Sequence, residues 1–388
     1  MEPIRAVGAM SGTSLDGVDA AEILTDGVAI HGFGATGYRP YSDGERETIR
    51  GALGRWPGEA GVAEAAAVVE AAHVALLSDP SFAGADLIGF HGQTLAHDPA
   101  GGRTHQAGDG ARLAGRLGRP VAWDFRSTDV AQGGEGAPLA PAYHHACARW
   151  LGGRDPVAFL NLGGVGNLTW TDPSRADMAD PGAMLAFDTG PANAPIDDLC
   201  LRLGGEGVDR DGALALSGRA DADLVAELMR HPFFKRPPPK SLDRDAWRVA
   251  GAKIDALPAP DAAATWVAVI AASVARGLRA CPVLPGRMLV TGGGRRNPAI
   301  MAALRDACAC AVNPVEEAGL DGDMLEAQAF AYLAVRTMRG LPLSFPSTTG
   351  VAEPMPGARV SPPAGGPAVD SPAAGARHRE GRRISGSR

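Results

Sequence analysis

The segment Met10-Ser11-Gly12-Thr13-Ser14-Leu15-Asp16-Gly17-Val18-Asp19 packs two glycines, three hydroxyls and two carboxylates into one turn beside apolar runs. Such a turn lets backbone N–H and side-chain O–H groups converge on phosphate oxygens, because glycine admits the main chain where a Cβ would hold it away. An ordinary hairpin turn, with Ser and Thr satisfying local backbone groups, has the same composition. A second loop, Asn161-Leu162-Gly163-Gly164-Val165-Gly166-Asn167, offers a similar backbone surface far along the chain. Two such loops could grip one polyphosphate. Neither is a Walker A sequence or a Rossmann fingerprint.

Phe187-Asp188-Thr189-Gly190-Pro191-Ala192-Asn193 reads as an apolar strand delivering a carboxylate into a Gly-Pro turn. An Asp at a strand end over a cleft is placed to act as a general base toward a hydroxyl or water. Alternatively, Asp188 or Asn193 caps the following helix. Val290-Thr291-Gly292-Gly293-Gly294-Arg295-Arg296-Asn297-Pro298 reads as strand, glycine turn and helix. Its backbone could carry a flat base, and Asn297 could cap the helix with Pro298 at the first helical position. Arg126, in Asp124-Phe125-Arg126-Ser127-Thr128-Asp129, His91 in His91-Gly92-Gln93-Thr94, and Glu326 on an apolar helix complete the polar candidates. A buried Glu326 needs a partner, either an internal salt bridge or a ligand. The histidines His91, His97, His144 and His145 lack convincing metal spacing.

The elements that must position these residues are legible from periodicity. Strands are expected at Ile4 to Met10, Gly17 to Leu24 and Val28 to Ala35, then at Asp86 to Phe90 and Pro120 to Trp123. The opening pattern recurs as Val157 to Leu162, Asn167 to Trp170 and Met184 to Phe187, with another strand at Arg287 to Thr291. Helices are expected at Ala60 to Ser78, Asn193 to Leu203, Ala222 to Arg230, Asp261 to Arg279, from Pro298 onward, and at Asp323 to Arg339. Two glycine-turned hairpins, each opening a mixed β/α half, predict a duplicated two-lobed α/β architecture. The first lobe is expected at 1–125 and the second at 126–345. The Pro- and Gly-rich segment 346–388 reads as a disordered tail whose removal leaves activity intact.

Composition bounds the partners. Across 388 residues, 37 basic and 44 acidic side chains give a net charge of −7. This disfavours a nucleic-acid surface or an anionic-membrane binder and favours a small-molecule substrate. Five scattered cysteines without paired spacing suit reduced thiols in the cytoplasm. No secretory signal is evident at the N-terminus. The longest uncharged run, Ala262 to Ala275, is short of a membrane span and reads as a buried helix.

Taken together, MSGTSLDGVDA, GFHGQTLAHDP, QAGDG, DFRSTDVAQGGEGAPLAP, NLGGVGNLTW, AFDTGPANAPIDDL, HPFFKRPPPKSLDRDAW, VTGGGRRNP and DMLEAQAFAYLA resemble the anhydro-N-acetylmuramic acid kinase family over about residues 4 to 345. The resemblance implies an actin-like, hexokinase-type fold that binds ATP with Mg²⁺. It implies that the phosphates lie against Gly12, Thr13, Ser14, Leu15, Asp16, Gly17, Val18 and Asp19. Gly163 and Gly164 with Gly292, Gly293 and Asn297 would complete the nucleotide cleft. It further implies that Asp188 activates water to open 1,6-anhydro-N-acetylmuramic acid, that O6 takes the γ-phosphoryl group, and that Arg126 and Glu326 contact the sugar. A cytoplasmic homodimer acting in peptidoglycan recycling is the corresponding expectation. Glu135, in GGEGAPL, departs from the Gln expected there. A kinase of an ordinary amino sugar and a non-catalytic ATP-binding sensor are the competing readings.

Overall fold

The computed structural model describes residues 1–205, 207–242, 244–363 and 365. Strands β1 (Ile4–Ser11), β2 (Gly17–Thr25) and β3 (Ile30–Pro40) form an antiparallel meander. Helices α1 (Asp43–Gly51) and α2 (Val62–Leu77) follow, then β4 (Leu87–Asp98), β5 (Arg103–Ala107), α3 (Gly110–Leu117), β6 (Val121–Trp123), α4 (Ser127–Ala131) and α5 (Pro141–Trp150). A second meander comprises β7 (Val157–Leu162), β8 (Val165–Thr171) and β9 (Met184–Pro191). It leads through α6 (Asn193–Arg202), α7 (Ala213–Leu216), α8 (Ala222–Leu228), α9 (Ala252–Asp255) and α10 (Ala259–Leu278) to β10 (Arg287–Thr291). Helix α11 (Pro298–Ala307), β11 (Ala311–Pro314), α12 (Leu325–Met338) and β12 (Arg359–Ser361) close the chain order.

The two sheets trace one path twice. The first runs β12-β6-β4-β1-β2-β3, with β5 on β4; the second runs β11-β10-β7-β8-β9. In each, the first meander strand (β1 or β7) has a parallel neighbour on its free side (β4 or β10), and a second parallel strand lies beyond it (β6 or β11). This is the duplicated, ribonuclease H-like arrangement of the two-lobed actin-like fold that the repeated hairpins predict.

Apolar side chains cover both faces of each sheet. Val7, Ile88, Val69 and Phe82 form the outer core under α2, and Phe187, Trp266 and Ile270 form the core of the second sheet under α10. Between the sheets, Met10, Tyr143, Phe159, Phe330 and Tyr332 belong to one shared core built around α5 and α12. Helix α10 is long and apolar enough to cross a membrane by composition alone, but 67% of its apolar window is buried inside the protein. Its hydropathy is that of a core helix.

The expected lobe division needs two corrections. Helix α12 falls within 126–345, yet it lies on β1, β2 and β4 of the first sheet. Glycine makes this possible: a Cβ on Gly8 of β1 or Gly89 of β4 would run into the carbonyls of Ala327 and Phe330 in α12. Nor is 346–363 a disordered tail. Strand β12 pairs antiparallel with β6, and Val351, Thr348 and Thr349 are buried. The Ala186 N–H donates to Ser347 O at 2.9 Å, so this segment also touches the second sheet. A segment poor in large apolar residues is ordered here through backbone and hydroxyl hydrogen bonds, which its composition does not reveal. Residues 366–388 of the expected tail lie outside the described residues.

Candidate active site

The β1–β2 turn is built to hold its main chain open. Leu15 sits at φ 57°, and its N–H donates to Gly12 O at 3.2 Å. Ser14 Oγ donates to Asp16 Oδ1 at 2.7 Å, and the Gly17 N–H reaches the same oxygen at 3.0 Å. Arg46 Nε anchors the turn from α1 by donating to Leu15 O at 3.1 Å. Leu15 and Val18 are buried in the outer core, which turns the intervening polar atoms outward. A Cβ on Gly12 would meet only Ser14 Oγ at 3.6 Å, so that backbone is open to a ligand.

This turn faces the second hairpin across a cleft of about 870 Å³. Gly12, Thr13, Ser14, Asp16 and Asp19 line one wall; Gly163, Gly164, Gly292, Gly293 and Asn297 line the other, with Glu326 also on the cleft surface. The fold therefore brings together most of the expected nucleotide residues. Leu15, Gly17 and Val18 support the turn without lining the cleft. The three glycines after β10 do different work: a Cβ on Gly292 or Gly294 would collide with the second hairpin at Leu162, whereas Gly293 would meet only Asn193 Nδ2 at 3.3 Å. Asn297 caps α11, accepting from the Ala299 and Ile300 N–H groups at 3.0 and 3.3 Å, and faces the cleft as well.

Asp188 lies on β9 and does not itself line this cleft; it pairs across the sheet with Asn167, which pairs in turn with the cleft-lining Asn161. Its Oδ1 accepts from Asn167 Nδ2 at 2.9 Å, and its Oδ2 accepts from the Leu242 N–H at 2.7 Å. Neither Asp188 nor Asn193 caps α6: the N-cap position is Ala192, and Asn193 Nδ2 donates to Leu162 O at 3.0 Å. Burial pushes the Asp188 carboxyl up to about 6, against the hydrogen bonds from Asn167 and Leu242; Glu135 raises it further and Lys240 lowers it. A carboxylate with that pKa is ionised at neutral pH yet basic enough to take a proton. Asn167 links it to the β7–β8 hairpin, since Asn167 and Asp188 are cross-strand partners on β8 and β9.

Arg126 and Glu326 approach the same region from the first sheet and α12. Arg126 Nε donates to His91 Nε2 at 3.0 Å and Nη1 to Gly136 O at 2.7 Å. His91 Nδ1 lies 3.0 Å from Gly92 O, and burial together with Arg126 holds its pKa well below the usual histidine value. The neutral ring therefore orients the guanidinium rather than repelling it. Glu326 Oε1 accepts from Asn161 Nδ2 at 3.1 Å, and no salt bridge holds its carboxylate among the described residues. Burial raises its pKa, while Arg126 and Asn161 draw it down. Of the two roles open to Glu326, the cleft-facing one fits this geometry.

The loop bearing Glu135 is held from the C-terminal segment. The Glu135 N–H donates to Thr349 O at 2.8 Å, and Thr349 Oγ1 donates to the buried Asp129 Oδ2 at 2.6 Å. Ser241 Oγ donates to Glu135 Oε2 at 2.9 Å, one residue before the N–H that binds Asp188. Asn161, Asn167, Asp129, Thr349 and the Leu242 amide are thus part of the site, and periodicity singles out none of them. The two asparagines flank the glycine loop at its hairpin-partner positions, which is the only signal that could have found them.

Asp19 gives the cleft its electrostatic character. Burial and the surrounding carboxylates of Asp16, Glu326, Asp323 and Asp321 push its pKa up to about 7. No group of three or more His, Cys, Asp or Glu side chains forms a metal centre among the described residues. Asp16 and Asp19 both line the cleft, and hard carboxylate oxygens are the donors a divalent cation takes.

The anhydro-N-acetylmuramic acid kinase family model matches residues 4–360. An anhydro-N-acetylmuramic acid kinase of Cereibacter sphaeroides is 62% identical over 360 residues, covering 93% of this chain and 96% of that protein. The corresponding proteins of Jannaschia and Ruegeria are 58% identical over 362 residues and 57% over 363, at 93% and 94% of this chain and 96% of each relative. With this match over nearly the whole described chain, and with the paired glycine hairpins and the carboxylate on β9 in place, the protein belongs to the anhydro-N-acetylmuramic acid kinase family.

Proposed function

We infer that the protein uses ATP to convert 1,6-anhydro-N-acetylmuramic acid and water into N-acetylmuramic acid 6-phosphate and ADP. The sugar has no free 6-hydroxyl, so opening of the anhydro bridge must accompany phosphoryl transfer. In this reading Asp188 takes a proton from water as the water oxygen bonds to C1. The C1–O6 bond breaks, O6 bonds to the γ-phosphorus, and ADP leaves. The observation that carries the assignment is a carboxylate hydrogen-bonded by Asn167 and Leu242, and pushed by burial up to about 6, two strands from a wall of a two-hairpin cleft of nucleotide size.

The chain's own groups divide the remaining work. The open backbone at Gly12 and Gly163 approaches the phosphates, since a Cβ at either position would meet nothing closer than 3.6 Å. Glycine-turn and hairpin amides supply fixed dipoles where charge develops on the transferring group. Asp16 and Asp19 would hold Mg²⁺, which when bound offsets phosphate charge. Arg126 keeps Nη2 free of any acceptor among the described residues, so it can meet the lactyl carboxylate of the sugar. Glu326 and its Asn161 partner orient sugar hydroxyl or amide groups. A cytoplasmic homodimer is the form we propose, supported by family resemblance and by five free thiols.

The test is ADP release by the purified protein with 1,6-anhydro-N-acetylmuramic acid, beside N-acetylmuramic acid and N-acetylglucosamine, with NMR of the product. A ring-opened 6-phosphate formed from the anhydro sugar supports the assignment. Release with the open sugars alone moves it to an ordinary amino-sugar kinase, and ATP binding without turnover removes the catalytic reading.

A further inference from the structure

Strand alternation gives β9 a second functional face. Asp188 points toward the site described above, while its neighbours Phe187 and Thr189 line a separate pocket of about 310 Å³ on the other side. Four cationic side chains meet there: Arg236 and Lys240 from the segment after α8, and Arg276 and Arg279 from the end of α10. Cations at a helix C-terminus complement its dipole, which accounts for two of the four. Arg236 and Lys240 come from a different segment and enter the same space. Among the described residues no carboxylate lines this pocket, and none of the four cations forms an ion pair.

The polar contacts they do make are to neutral oxygens. Arg276 Nε donates to Phe234 O at 3.0 Å, and Lys240 Nζ to Phe233 O at 3.2 Å. Burial and the charges of Arg276 and Arg236 lower the Lys240 pKa, against a smaller rise from Asp188, so the cluster is close enough for its members to repel one another. Asp188 offsets part of the Lys240 charge from outside the pocket, but among the described residues no carboxylate lies beside the three guanidiniums inside it. The missing component is an anion, and guanidinium forks match phosphate oxygens in pairs.

The pocket is tied to the proposed base by short covalent and hydrogen-bonded paths. The Asp188 N–H donates to Lys240 O at 2.9 Å, and the Leu242 N–H donates to Asp188 Oδ2 at 2.7 Å. Both contacts belong to the strand of chain that carries Arg236 and Lys240. We propose that this pocket binds a small phosphate-bearing anion at a site distinct from the nucleotide cleft, and that occupancy adjusts the placement of Asp188 through residues 236–242. The coupling rests on Asp188 being the base; the binding does not.

The experiment is calorimetric titration of the full-length enzyme, saturated with ADP to fill the nucleotide cleft, using inorganic phosphate, pyrophosphate and glucose 6-phosphate in parallel. Saturable binding of at least one, weakened about tenfold by Arg279→Gln and again by Arg276→Gln, is the expected result. The tightest of the three separates an inorganic anion from a phosphate ester as the source. Arg279 makes no contact within the catalytic site, so R279Q should retain basal turnover while losing any response to the anion. Binding indifferent to both substitutions, or no saturable binding of any probe, overturns the site. Binding that obeys the pattern while wild-type turnover stays constant overturns the coupling.

Discussion

The acid limb of turnover should belong to Asp188. Its carboxyl is pushed from 3.8 up to about 6, chiefly by burial. At pH 5 only about a tenth of it is ionised, whereas an unperturbed carboxyl would still be more than about nine-tenths ionised. With saturating ATP, kcat/KM for the anhydro sugar is therefore expected to fall about tenfold per pH unit below 6. Glu135 raises the Asp188 pKa, so Glu135→Gln should move this limb to lower pH; a limb owned by the nucleotide would stay in place. Asp188→Asn should cost about 10²–10⁴ in turnover. The folded state binds the Asp188 proton more tightly than the unfolded chain does. Ionisation above pH 6 thus opposes folding by about 3 kcal/mol, and that penalty is relieved as pH falls toward 4. The asparagine variant escapes this penalty but turns an amide NH₂ toward either Asn167 or the Leu242 N–H, so the two effects largely offset and the variant remains folded. Stopped-time ADP assays from pH 4.5 to 8, with circular dichroism on each variant, make the comparison. A limb centred near pH 4, or a folded D188N protein with more than a tenth of normal turnover, would refute the assignment.

Thr349→Val removes one donor from the buried Asp129 carboxylate, a loss of about 1.5–3 kcal/mol that should appear as a melting shift of roughly 2–5 °C and a raised KM for the sugar. An unchanged melting curve would mean that the C-terminal segment does not brace the Glu135 loop. Gly89→Val must displace the backbone of α12 at Phe330 and should destabilise by more than about 3 kcal/mol in urea unfolding; Gly12→Ala, facing open space, should leave stability nearly unaltered. Asp19→Asn should raise the Mg²⁺ concentration for half-maximal turnover about tenfold, and an unaltered Mg²⁺ titration would remove Asp19 from the cation's surroundings.

Much of this architecture was legible because hydrophobic period and glycine-rich turns mark the repeated hairpins directly. Strand β10 and the starts of β1, β2, α6 and α11 fall where pattern and caps place them. The cleft was legible for a similar reason: Gly12, Gly163 and Gly293 leave main chain uncovered on its walls. What escaped is what depends on distant partners. Helix α5 is absent from the helices expected by periodicity, and its His144 and His145 are buried where Thr169 and Thr171 of β8 pair with them. Strand β12 has three residues and no alternation to detect, and its existence rests on the exposed edge of β6. Thr349 is unremarkable until Asp129, 220 residues earlier, is placed beside it. Even the glycine turn after β10 misleads, because two of its three glycines serve packing against Leu162.

The contact between α12 and the first sheet has a mechanical consequence. At Gly8 and Gly89 no side chain intervenes, so helix and sheet meet backbone to backbone. Side-chain rotamers can absorb small displacements, but a junction made of main chain transmits them. The first turn of the same helix carries Glu326, whose carboxylate is tied to Asn161 on the other sheet. Helix α12 is therefore a stiff tie-rod anchored in one lobe with its tip in the other, and any swing of the lobes about the cleft must either stretch the Glu326–Asn161 bond or carry Glu326 along.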